Sequence, residues 1–325
     1  MKILFLTYVN RSGSTFLANQ LSKSPDICVC PEAEILYPMF LKNPFLEFSS
    51  DTKKFWIIIN ELERDKKFSL WNFNRVELFD QISASRNNLE IFIAILSFYS
   101  RKNKPTASII LYKNTQLIDL IAKIPEAVIK SYNMMWIALM RDIRSVYLSQ
   151  SITISPFTGK PMCTNWYTLA MNWNSFINQT YEYSALNNFS RFKYEDLIMD
   201  THMVVNNITA VLGVNFQLNW ISDKKGEITE ILSQDYRSIH PMINDIPDES
   251  KIHKWKQELP ASKQDFLVYF CKKNLRRNGY STDGYSLKLR PLYITEITRK
   301  KISHFAVIFK NYSKSIIKKW LKPAK

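Results

Sequence analysis

The apolar run Ile3 to Val9 breaks at Asn10-Arg11-Ser12-Gly13-Ser14-Thr15 and resumes at helical spacing with Phe16, Leu17 and Leu21. This strand, polar turn and helix pattern constrains the fold more than any other stretch of the chain. A near-continuous apolar strand is one covered on both faces, as in a parallel sheet. In the turn, small residues let successive backbone N–H groups converge, hydroxyls add donors, and the start of the following helix adds positive potential. Such a loop suits a phosphate-like anion, with Arg11 at its mouth to neutralise a non-bridging oxygen. An ordinary helix cap by Ser12 or Ser14 is the alternative reading of the same residues. The opening segment runs straight into this turn and lacks a small-residue cleavage site, so it reads as a first strand and not as a leader.

A second unit of the same kind lies at Met134–Met140, followed by Arg141-Asp142 and a helical stretch holding Val146, Tyr147 and Leu148. Two strand-to-helix units imply an α/β fold with a central parallel sheet. Arg141 would then stand at the carboxyl edge, where open α/β sheets bind ligands, with Ser149 on the next helix. Alternatively, Arg141 is a surface residue paired with Asp142 or Glu195. Ile27 to Cys30 reads as a short strand ended by Pro31, and Phe192-Lys193-Tyr194 as a late strand running into Glu195-Asp196-Leu197. Val204 to Leu212 reads as a helix stopped at Gly213. The stretch from about 41 to 105 has helix-like spacing (Phe55, Ile58, Ile59, Leu62) and is expected to be a mostly helical insertion. Within it Trp71, Phe73 and Tyr99 have the spacing of core residues, with sugar stacking as the alternative.

Composition removes several classes of function. The six glycines of the 325-residue chain nowhere form G-x-G-x-x-G or G-x-x-x-x-G-K-[ST], which disfavours a dinucleotide fold and a Walker-type NTPase. Cys28, Cys30, Cys163 and Cys271 are too few and too scattered for a disulfide framework or a zinc site, which points to a reducing, cytoplasmic setting and to no bound metal. The dispersed His202, His240, His253 and His304 read as surface or capping residues, with His240, close to Ser238, the one candidate for chemistry. No run of about 18 apolar residues suggests a membrane-spanning helix.

Taken together, the motifs resemble those of the sulfotransferases that use 3′-phosphoadenosine 5′-phosphosulfate (PAPS). Arg11-Ser12-Gly13-Ser14-Thr15 is similar to that family's 5′-phosphosulfate loop, and Arg141-Asp142-x-Arg144 with Ser149 to its 3′-phosphate motif. Lys193-Tyr194-Glu195-Asp196-Leu197, Lys254-Trp255 and Asn278-Gly279-Tyr280 resemble further family elements in the family's order, so that the likeness spans roughly Met1 to Tyr285. Motif detail is closest to the protein-tyrosine and glycan branch. The resemblance implies a P-loop-like three-layer fold over residues 1–289, with cofactor contacts from Arg11, Ser12, Gly13, Ser14, Thr15, Arg141, Ser149, Tyr194, Ser238 and Lys254. It further implies Glu32 as general base, with Glu34 as competitor, and Lys113 beside the leaving oxygen, although Asn114-Thr115 replaces the acid-proline or Thr-Pro pair common there.

The net charge of +15 is concentrated in residues 290–325, which hold ten basic residues and one acid, Glu296. Phe305, Ile308, Phe309, Tyr312, Ile316, Ile317 and Trp320 recur there at helical spacing, giving a basic amphipathic extension. It suits the inner face of an anionic membrane, which favours a glycan or glycolipid acceptor and no nucleic acid. Packing of its apolar stripe on the main domain is the other reading. Two further functions stay open at this level: a nucleotide kinase with a degenerate loop, and a noncatalytic basic protein that binds membranes or polyanions.

Overall fold

The structure, a computed structural model, describes residues 1–47, 52–156, 158–214, 248–284, 294–306 and 309. It divides into two compact units, Met1–Arg141 with Gln179–Ile252, and Asp142–Asn178 with His253–Lys325.

The first unit is built on a five-stranded, all-parallel sheet of β1 (Lys2–Tyr8), β2 (Ile27–Val29), β3 (Ile109–Lys113), β4 (Met134–Met140) and β5 (Phe189–Lys193), in the order β2-β3-β1-β4-β5. From Ile3 onward every β1 residue is buried, because helices cover both faces. α1 (Ser14–Ser22) packs on one face together with α9 (Thr201–Leu212), through Leu17, Leu21, Val205 and Ile208. Phe5 lies against both Trp136 of β4 and Phe92, and Phe92 meets Tyr112 of β3 edge-on. Each such side chain contributes about 1.5–3 kcal/mol when fully buried. β3, which the periodicity did not single out, is wholly buried and pairs Lys113 with Leu6 of β1.

Between β2 and β3 the chain forms the expected helical insertion, α2 (Thr52–Glu63), α3 (Arg75–Ile82) and α4 (Asn88–Asn103). The Asn87 side chain accepts from the Glu90 N–H while Glu90 accepts from the Arg86 N–H, a reciprocal cap that starts α4. Trp71 and Tyr99 are buried and meet edge to face at 5.0 Å, with Phe73 against both, so these rings are core and not an open sugar platform. α5 (Glu126–Ser131) leads into β4, and α8 (Tyr194–Met199) follows β5 without a loop. α9 ends at Gly213, whose left-handed φ of 71° closes the helix.

The second unit gathers α6 (Ile143–Ile152), most of α7 (Trp166–Glu182), α10 (Trp255–Glu258), α11 (Ala261–Arg277) and a helix over 294–306. Asp142 caps α6 and accepts from the Arg144 Nε and Nη2, at 3.0 Å and 2.6 Å for its nearest oxygens. The Arg144 guanidinium lies 3.8 Å over the Trp255 ring. Arg144 is therefore a buried cation paired with Asp142, and Trp255 is the face it rests on. The Gly279-Tyr280 pair ends α11: the Tyr280 N–H donates to the Leu275 carbonyl, and Gly279 takes φ 72°.

The start of the basic extension packs within this unit. Glu296 accepts from Lys263 and from Trp166 Nε1, and His304 shares a hydrogen bond with Thr168. Ile297 is buried, whereas Ile302, Phe305 and Phe309 are 63%, 62% and 73% exposed along one stripe. One face thus docks and the other stays open.

Replacing Asp142 with Ala would leave the Arg144 cation buried beside Trp255 without its carboxylate, at a cost of about 3–5 kcal/mol. Urea unfolding should show a loss of that size, while Arg144→Met with Asp142→Leu together should cost less; equal losses would contradict a buried pair.

Candidate active site

Parallel strands deliver their carboxyl ends to one edge of the sheet, and each of the five ends here carries a polar group of interest. β1 ends in Tyr8 and the 10–15 turn, β2 leads to Glu32, β3 ends in Lys113, β4 is followed by Arg141, and β5 by Tyr194. All belong to the first unit.

The turn is built to stay tight. Arg11 and Gly13 both take left-handed φ, 71° and 82°, and the Ser12 N–H donates to the Val9 carbonyl. Only glycine fits at 13, since an added Cβ would lie 2.5 Å from the Tyr194 ring. That ring also carries the Arg141 guanidinium at 3.9 Å, and Arg141 Nη1 donates to the Arg11 carbonyl at 2.7 Å. Tyr194 and Arg141 thereby clamp the turn from outside. Arg141 is half-buried and makes this contact and stack.

Four observations show that the turn fits an anion. No side chain caps the N-terminus of α1, so the Ser12 or Ser14 cap is not formed and the first N–H groups stay available. The Ser12 hydroxyl is fully buried without a partner among the described residues, which costs about 1–3 kcal/mol unless a ligand meets it. Burial and the neighbouring Arg141 charge lower the Arg11 pKa, since both disfavour the charged guanidinium, and an anion seated there would offset them. Finally, Lys113, only 5% exposed, donates to Thr15 Oγ1 at 3.2 Å.

Lys113 also holds Glu32 through a direct ion pair with Oε1. The segment bearing Glu32 is pinned on both sides: the Cys30 N–H donates to the Leu111 carbonyl, and the Tyr112 hydroxyl to the Ala33 carbonyl. Tyr8 Oη donates to Glu32 Oε1 at 2.6 Å. From the insertion, Lys67 Nζ comes within 3.8 Å of Glu32 Oε2 and 2.7 Å of Glu34 Oε1. Asp65 fixes that approach by accepting from the backbone N–H groups of both Ile35 and Lys67. Burial alone would raise the Glu32 pKa, but the Lys113 and Lys67 charges and the Lys113 and Tyr8 hydrogen bonds override it and bring it down to about 2. Its side chain is still 29% exposed, so one side of the carboxylate remains approachable.

The structure therefore brings together Arg11, Ser12, Gly13, Ser14, Thr15, Glu32, Lys113, Arg141 and Tyr194 within one unit. Glu34 stands on the rim, with a 68% exposed side chain, and Lys67 is its partner. Ser149 and Lys254 belong to the second unit; Ser149 is half-buried on α6, and Lys254 is exposed and paired with Glu258 at 3.0 Å. Ser238, His240 and Tyr285 lie outside the described residues. Tyr8 and Lys67 were missed by sequence reasoning. Tyr8 had one signal available, a polar-tipped residue at the carboxyl end of a buried strand just before an anion loop; Lys67 had none.

Comparison with known proteins agrees with this geometry. A family model described as "Sulfotransferase family" matches residues 4–217. No curated protein matches the chain. Among solved structures, the sulfotransferase domain of the Synechococcus PCC 7002 olefin synthase is similar over 86% of this chain and 94% of its own, at 16% identity and a TM-score of 0.56. The sulfotransferase domain from the curacin biosynthetic pathway is similar over 86% of this chain and 98% of its own, at 16% identity and a TM-score of 0.51. At these identities the likeness is one of fold.

A pH dependence follows from the ion pair. Glu32 binds its proton more weakly folded, at about 2, than at its ordinary 4.5, so the stability it adds is complete above pH 4.5 and is lost as pH falls through about 2. Unfolding free energy should fall across that window in the wild-type protein and fall less steeply in Glu32→Gln. Identical slopes would contradict the pairing.

Proposed function

The chain belongs to the sulfotransferase family, and on that premise we propose that it moves the sulfuryl group from PAPS to an acceptor hydroxyl with Glu32 as general base. The observation that carries this reading is Lys113, which touches Thr15 of the anion turn on one side and Glu32 on the other. One ammonium thus joins the place where negative charge would leave to the place where a proton would be taken. The kinase and noncatalytic readings give way to family membership.

The cofactor supplies an activated sulfuryl group, and the transfer is an in-line displacement in which charge grows on the departing oxygen, by analogy with phosphoryl transfer. The protein's part is electrostatic. Arg11, Lys113 and the N–H groups opening α1 stabilise that charge, the N–H groups being held in place by the fold already. Glu32 accepts the proton of the acceptor hydroxyl. Glu32 is favoured over Glu34 because it adjoins Lys113 and Tyr8, whereas Glu34 meets only Lys67 among these groups. Arg141, stacked on Tyr194, holds the 3′-phosphate, and Ser149, Ser238 and Lys254 complete the cofactor contacts by resemblance.

The acceptor is a glycan or glycolipid presented at the inner face of a membrane. What supports this is the open stripe Ile302, Phe305 and Phe309 on the basic extension, which offers apolar side chains beside clustered lysines. No helix among the described residues is long and apolar enough to cross a membrane, so such contact would be peripheral.

Calorimetric titration with PAP, the desulfated cofactor product, beside ADP and magnesium-ATP, tests the cofactor reading. PAP should bind in preference to both. Arg141→Ala should weaken it about tenfold or more, the loss of a charge-assisted contact, while Glu32→Gln should bind PAP nearly as well as the wild type yet transfer sulfuryl groups far more slowly. Equal weakening in both variants would refute the division of roles. For the membrane reading, the protein should sediment with phosphatidylcholine vesicles containing phosphatidylglycerol, and Phe305→Ser with Phe309→Ser should abolish this; indifference to the vesicles would remove the argument for a glycolipid.

A further inference from the structure

The cluster around Glu32 poses a chemical problem. A carboxylate bonded to Lys113, approached by Lys67 and lowered to about 2 is a weak proton acceptor. Its strongest partner, Lys113, is also the cation closest to the anion turn. An anion seated on residues 11–15 competes for that ammonium, and whatever still holds Glu32 afterwards determines where its proton-accepting oxygen points.

On Oε1 the group left in place is Tyr8, while Lys67 stays 3.8 Å from Oε2. Tyr8 is 6% exposed, stands at the rigid carboxyl end of the central strand, and pairs in register with Leu139 of β4. Its hydroxyl donates to Glu32 Oε1 at 2.6 Å. A buried phenol on a strand end has a fixed donor direction, whereas a lysine ammonium sits on a four-carbon stem that can swing. The Lys113 ammonium lies 5.6 Å from the centre of the same ring, so the ring also marks one wall of the space in which that lysine moves.

We propose that Tyr8 is a positioning residue of the active site: fixed at the end of β1, where the anion turn begins, it holds Glu32 Oε1 when bound cofactor draws Lys113 away and leaves Oε2, on the Lys67 side, to take the acceptor's proton. The proposal rests on the cofactor and base assignments above and adds a residue that neither the motif pattern nor the family match assigns. The balance is simple: no bond of Tyr8 breaks, the acceptor O–H proton passes to Glu32, and the phenol keeps its own proton throughout. Loss of Lys113 from Glu32 on cofactor binding makes the carboxylate more basic, and Tyr8 limits that rise by continuing to donate to it.

Proton linkage reads this without needing an acceptor. PAP binding is titrated at pH 4 to 6 in two buffers of different ionisation enthalpy, for the wild type, Glu32→Gln and Tyr8→Phe; uptake by the PAP phosphates is common to all and is removed by comparison with Glu32→Gln. The wild type should take up more protons than Glu32→Gln. Tyr8→Phe should move that uptake upward by about one pH unit. A substitution that only loosened packing would change affinity without moving the pH of uptake. PAP binding with the same uptake profile in Tyr8→Phe as in the wild type overturns the role of Tyr8 alone. No excess uptake in the wild type over Glu32→Gln overturns the exchange of Lys113, and failure of the wild type to bind PAP overturns the cofactor reading beneath both.

Discussion

A buried ammonium needs a carboxylate, and the site grows from that requirement. Lys113 ends a wholly buried strand and has almost no access to water, so its charge is tolerable only with a partner in reach. Glu32 supplies it, and the two adjacent strands fix the pair in space, since β2 and β3 run parallel with Val29 beside Leu111. The same ammonium meets Thr15 of the anion turn. Removing any one of these partners leaves a charge or a donor stranded at the edge of the sheet.

Charge is gathered on both sides of the anion turn. Glu32 and Glu34 face Lys113 and Lys67. On the other side Arg11 and Arg141 are neighbours, and burial together with that proximity lowers the Arg11 pKa. An anionic ligand on residues 11–15 would relieve that crowding and satisfy the Ser12 hydroxyl. The carboxylate side would then hold a base freed from its strongest partner and still fixed by Tyr8. On the proposed roles, anion binding and proton acceptance would draw on one shared lysine.

Much of this was readable before the fold was known, where local pattern and tertiary outcome coincide. The apolar run into Arg11-Ser12-Gly13 announces its own strand, turn and helix, and β4 with Arg141 repeats the pattern. Lys113 was placed through resemblance alone, because Ile109–Tyr112 is a short apolar run that periodicity cannot assign between strand and helix. Lys67 was unreadable: it lies between two helical segments of the insertion, and only Asp65, bridging two backbone N–H groups, brings it back to Glu32. The setting of Arg144 was equally hidden, because its spacing from Arg141 says nothing of Trp255, far along the chain, on whose ring it lies while paired with Asp142.

The most direct test of the account is a crystal structure of the complex with PAP, read for the position of one nitrogen. The account predicts the 5′-phosphate on the N–H groups of residues 11–15 with Lys113 Nζ turned onto it and Tyr8 still donating to Glu32. PAP seated elsewhere, or seated on the turn with Lys113 still paired to Glu32, would contradict it.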